Sequence, residues 1–125
     1  MKSIAISENH LYKKVYAKGD KVNCRHIVVY VLTDYHASRL MRENPLKTRV
    51  NRIGLTVSKK IGKAVVRSRV RRIIRAALYA VQAEKPLKTG KLIVIVAKES
   101  AAGVKSTDIL CDLYRAFDKL GMFAA

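Results

Sequence analysis

The chain has 125 residues, half of them hydrophobic, with 26 Lys and Arg against 9 Asp and Glu and a formal net charge of +17. The apolar share excludes a disordered basic tail, and the charge excess steers the molecule toward anionic partners while opposing its own compaction. No apolar run reaches the roughly 18 residues of a membrane span, so one cytoplasmic domain over residues 1–125 is expected, with no membrane partner.

Met1-Lys2-Ser3-Ile4 leads into no signal-peptide core. Ser7-Glu8-Asn9 places cap-type residues ahead of Leu11 and Val15, and Gly19 supplies a stop, which predicts a short first helix. Residues 22–33 are β-branched and aromatic (Ile27-Val28-Val29-Tyr30 at their centre) and predict a strand. Residues 34–48 are polar and basic, contain Pro45, and form an extended connection longer than a hairpin needs. Residues 49–58 alternate. Ile53, Leu55 and Val57 share one side, while Arg52, Gly54, Thr56 and Ser58 share the other, which is nearly bare of bulk. Lys59-Lys60-Ile61-Gly62-Lys63 turns from this strand into a long helix that runs to about Ala83. A turn at 86–90, a buried strand at 91–98 and an amphipathic helix at 107–120 complete the chain. That last helix is striped by Ile109, Leu113, Ala116 and Leu120, and its mixed charges mark it as structural. The order α-β-β-α-β-α describes an α+β sandwich whose helices cover the apolar sheet face.

The long helix is the most informative element. Arg67, Arg69, Arg71, Arg72 and Arg75 fall within nine residues without spoiling its amphipathicity. At roughly 100° per residue, Val66, Val70, Ile73, Ile74, Ala77 and Val81 gather in one core-facing arc. Arg67, Arg71, Arg75 and Arg72 fan across the opposite side, with Ser68 among them and Arg69 at the far edge. Surface helices usually intersperse acids at i,i+4 spacing, yet residues 59–83 contain none, and only Glu84 lies nearby. Arg forks match phosphate oxygens bidentately, so a polyanion is the expected partner of this face.

An enzyme acting alone needs a constellation that the chain lacks. His10, His26 and His36 are scattered and fit no HxH or HExxH pattern. Asp108 and Asp112 share a helix face, but nearby Lys and Arg make salt bridges the better account. Lys59–Lys63 could hold a phosphate at the helix start, but the spacing of a nucleotide-binding loop is missing. Cys24 and Cys111 form no CxxC and are expected as reduced, buried thiols. What remains is a binding surface in two parts: dense charge on the helix, and a flat polar sheet face with Arg52, Thr56 and Tyr30. Tyr12 and Tyr16, at i,i+4, would project toward that sheet if the first helix packs on its edge. Rings beside cations suit single strands, although core packing explains the pair equally well.

Ala64-Val65-Val66-Arg67-Ser68-Arg69-Val70-Arg71-Arg72-Ile73-Ile74-Arg75, preceded by Gly54-Leu55-Thr56-Val57-Ser58-Lys59-Lys60-Ile61-Gly62, resembles the signature of the bacterial ribonuclease P protein family. Tyr12-Lys13-Lys14-Val15-Tyr16, Ile27-Val28-Val29-Tyr30 and Ile93-Val94-Ile95-Val96-Ala97-Lys98 extend the resemblance over nearly the whole chain apart from 34–48. The resemblance implies an α-β-β-β-α-β-α sandwich with a left-handed crossover, its extra strand coming from a split of 22–33 or from 34–48. It implies a protein subunit that assists a catalytic RNA in removing the 5′ leader of precursor tRNA, with no catalytic residue or metal of its own. Magnesium is expected at the RNA's centre, and no obligate protein partner. Arg67, Ser68, Arg69, Arg71, Arg72, Arg75 and Lys63 would bind the RNA subunit. Tyr12, Tyr16, Val28, Tyr30, Arg52, Lys59 and Lys60 would bind the leader. Ser68 departs from the family's usual Asn, trading an amide's donor and acceptor for one hydroxyl. The alternative is a structural RNA-binding protein of ribosomal type, and a second is a nuclease acting alone.

Overall fold

A computed structural model describes residues 3–5, 9–33, 51–85, 87 and 91–123. Five strands form one sheet: β1 (Ser3–Ala5), β2 (Asp20–Asn23), β3 (Ile27–Thr33), β4 (Asn51–Thr56) and β5 (Lys91–Ala97), in the spatial order β1-β4-β5-β3-β2. Among the described residues, three α-helices accompany them: α1 (Asn9–Lys18), α2 (Ala64–Glu84) and α3 (Ser106–Lys119). From α1 onward the order is α-β-β-β-α-β-α, preceded by the three-residue β1, which pairs parallel to β4 and was not expected. The 34–48 connection lies outside the described residues.

The additional strand arises by splitting the 22–33 run. β2 and β3 are antiparallel, Asp20 facing Val31 and Asn23 facing Val28. The amide of Cys24 donates to the Ile27 carbonyl at 2.9 Å and closes the turn between them. The turn is made of Cys24, Arg25 and His26, with no Gly, Pro or Asn-Gly to announce it. Its anchor is tertiary: the buried Asp112 of α3 accepts the His26 amide at 2.8 Å. Cys24 is buried there, whereas Cys111 is exposed, so only one thiol follows the expectation.

Both faces of the sheet are covered. α2 and α3 pack on one, burying Ile27, Val29, Ile53, Ile93 and Ile95 with Val70, Ile74, Val81, Ile109, Leu113 and Phe117. α1 lies across the other, where Val15, Leu92 and Val94 form a second, smaller core. β4 and β5 run parallel side by side, and α2 is the crossover between them. Two 3-10 turns, Lys59–Ile61 and Glu99–Gly103, lead out of β4 and β5 respectively. Burial settles why a helix this charged forms. Each of Val70, Ile74 and Val81 contributes about 1.5–3 kcal/mol, whereas each like-charge i,i+4 pair on the outer face costs only about 0.2–0.5 kcal/mol.

Candidate nucleic-acid interface

The arginines of α2 do not form a uniform ridge. Leu78 joins the buried stripe, and at 100° per residue it shares the angular position of Arg67, three turns away. The buried arc is therefore wider on that side than the sequence suggested. Arg67 and Arg71 become half-buried, and the Nε of Arg67 is enclosed without a hydrogen-bond partner. Ser68, Arg72 and Arg75 stay exposed, as does Lys63 at the N-cap. Arg69 turns the other way, donating from Nη1 to the Ala102 carbonyl and from Nη2 to the Val104 carbonyl, both at 3.1 Å. It clamps the second 3-10 turn onto α2.

Among the described residues, no carboxylate pairs with Arg67, Arg71, Arg72, Arg75, Lys59, Lys60 or Lys63. Nearby acids are engaged elsewhere. Glu84 accepts the Tyr114 hydroxyl, Asp108 accepts the Lys105 amide at 3.0 Å and caps α3, and Asp112 holds the β2–β3 turn. The positive potential of α2 is thus left to be matched from outside the protein.

The second surface lies between α1 and the sheet. Strand register sets three rows across it: Leu32-Leu92-Arg52, then Lys21-Tyr30-Val94-Gly54, then Asn23-Val28-Val96-Thr56. Tyr12 lies directly on Gly54; a Cβ there would meet the Tyr12 Oη at 2.5 Å and Cε1 at 2.6 Å. The face that looked bare in sequence is bare because a ring occupies it. One turn later Tyr16 reaches the Thr56 Oγ1 through a 2.9 Å hydrogen bond and meets Tyr30 edge-on, with ring centroids 5.0 Å apart. Tyr12 and Tyr16 are 6.4 Å apart. The Lys21 Nζ sits 6.0 Å from the Tyr30 centroid. Burial first, and then the neighbouring Tyr16, push the Tyr12 phenol above its ordinary range, so it remains a neutral hydroxyl.

Tyr12, Tyr16 and Tyr30 are therefore brought together, with Val28 on the row beside Tyr30. Val28, Val96 and Thr56 are half-buried and floor the open end, walled by Tyr16 and Tyr30. Lys59 and Lys60 are exposed three and four residues beyond Thr56, on the turn that joins this strand to α2. Arg52 shares the face but stands two rows away, about 13 Å along the strand from Thr56. Val96 and Lys21 escaped the sequence reading, because only strand register shows that Lys21 lies beside Tyr30 and Val96 beside Val28.

One sheet carries on one face a cationic helix that no described carboxylate neutralises and on the other a cluster of three tyrosines, which makes this an α+β protein with a surface suited to a polyanion. The family model for ribonuclease P matches residues 1–121. The chain belongs to the ribonuclease P protein family. It is 36% identical to the ribonuclease P protein component of Clostridium acetobutylicum over 98% of this chain and 92% of that one. It is 34% identical to that of Bacillus velezensis, over 94% and 90%. The solved ribonuclease P protein of Staphylococcus aureus superposes with a TM-score of 0.75 at 25% identity, covering 98% of this chain and all of that one. The Thermotoga maritima protein shares the fold at 17% identity and a TM-score of 0.63. These likenesses leave no support for the ribosomal alternative.

Proposed function

We propose that this subunit holds the catalytic RNA of ribonuclease P with α2 and the 5′ leader of precursor tRNA with the α1–sheet groove, in the cytoplasm. The observation that carries the reading is the absence of protein carboxylates against the α2 cations among the described residues. Arg71, Arg72, Arg75, Lys63 and Arg67, with the Ser68 hydroxyl, neutralise phosphates of the RNA subunit and release its counterions. Arg69 supports this face by fixing the segment beside it. The leader lies along Val28 and Tyr30, against Tyr12 and Tyr16, with its phosphates toward Lys59, Lys60 and Arg52. Base–aromatic contact of this kind is worth about 1–3 kcal/mol per stacked base.

Hydrolysis belongs to the RNA subunit. We assign magnesium to phosphate oxygens of the RNA, donors of the hard kind it takes. Held there, it would supply activation of water and stabilisation of the leaving oxygen. The protein raises substrate occupancy by adding leader contacts to those the RNA makes with the tRNA body. It also lowers the magnesium requirement by supplying part of the positive charge. Mixing tests this. The protein alone leaves precursor tRNA intact, yet stimulates cleavage by its cognate RNA at low magnesium. Cleavage by the purified protein, or no stimulation at any magnesium concentration, would overturn the reading.

A further inference from the structure

The exposed stripe of α2 does not end with its arginines. Tyr79 is 77% exposed and Val65 81% exposed, two of the three large hydrophobic side chains that stand out from the described surface. The third, Tyr16, is engaged with Thr56 and Tyr30. Tyr79 has no hydrogen bond, ring contact or cation–π partner within the protein among the described residues. Its position follows from helical geometry. Arg75 precedes it by four residues and Arg72 by seven, so all three lie on one stripe, with Arg75 about 5–6 Å away between Cβ atoms. Ala76 and Ala83, three before and four after, are small and exposed, and crowd the ring little. An aromatic ring held clear of its own protein, one turn beyond two unpaired guanidinium groups, fits a nucleotide whose phosphate meets the cations and whose base meets the ring.

We propose that Tyr79 stacks on an unpaired nucleobase of the RNA that α2 binds, extending the interface from phosphate neutralisation to base contact. The proposal rests on the reading of α2 given above. RNA is the favoured occupant because the stripe is cationic and contains no acid from Arg67 to Ala83.

The test is equilibrium binding of the full chain to its host's transcribed ribonuclease P RNA across a salt titration. Tyr79→Ala raises Kd by roughly 5- to 150-fold, the range for losing one stacked base, while Tyr79→Phe stays within about twofold of the original. Neither variant changes the slope of log K against log salt, because no phosphate contact is lost. Arg75→Ala does reduce that slope. The exposed ring adds little to the fold, so Tyr79→Ala keeps the thermal midpoint, and lost affinity is not lost structure. Wild-type binding with an unaltered Kd for Tyr79→Ala overturns the stacking alone. A phenylalanine variant as weak as alanine also overturns it, as does a dimer broken by Tyr79→Ala with RNA affinity intact. Failure of the wild-type chain to bind the RNA removes the underlying reading as well.

Discussion

Gly54 and Tyr12 show how one missing side chain shapes a site. The half-buried ring lies where any Cβ at residue 54 would be, and its hydroxyl end is the part that collides. In Gly54→Ala the ring must swing aside, and because it is the far end of a side chain, not backbone, that yields, the stability loss stays within the range of overpacking, about 1–3 kcal/mol. The groove loses its floor contact at the same time. Precursor tRNA should therefore bind more weakly while mature tRNA binds as before, and equal losses for the two ligands would detach Tyr12 from the leader. The two behaviours of arginine on α2 separate at the same scale. Arg69→Ala removes two hydrogen bonds to carbonyls and lowers unfolding stability by about 2 kcal/mol. Arg72→Ala leaves unfolding unchanged but reduces the salt slope of RNA binding by about 0.7–0.9, one phosphate contact. Thermal unfolding beside salt-titrated binding distinguishes the pair, and the reverse pattern would refute the assignment.

Secondary-structure elements were legible where their period was clean. The alternation Ile53, Leu55, Val57 appears as written, on the buried side of β4. The arginine helix starts at Ala64 and ends at Glu84, one residue beyond the expected end. Its stripe is wider than expected because Leu78, four residues after Ile74 and three before Val81, extends it toward the angular position of Arg67. The hairpin between β2 and β3 was illegible for a different reason: Cys24, Arg25 and His26 carry no turn chemistry, and a carboxylate 86 residues away anchors the loop. In Asp112→Ala the His26 amide is left without that acceptor, a loss of about 1–3 kcal/mol. Hydrogen exchange should show the Cys24–His26 turn opening before the rest of the sheet. Unchanged protection of the His26 amide would assign the turn to its own residues instead.

At the level of the whole molecule, the α2 cations and the three tyrosines stand on opposite sheet faces, joined by the turn Lys59–Ile61. Charge reversal of Arg67, Arg71 and Arg75 should weaken assembly with the RNA subunit and flatten its salt dependence. Tyr12 and Tyr30, packed on the second core, should keep their contacts with Tyr16 in that variant. An assembly constant unchanged over the salt titration would count against α2 as the RNA face. The amino-acid order alone determined the charge, the arginine helix with its missing acids, and most strand and helix positions, because these depend on composition and on periods of two and 3.6 residues. Tertiary structure alone decided that α1 crosses the sheet face, that Tyr12 fills the space above Gly54, that Lys21 lies beside Tyr30 and Val96 beside Val28, and that Arg69 faces the protein. Each of these is a contact between residues distant in the chain, and strand register and helix docking leave no periodic trace in either partner.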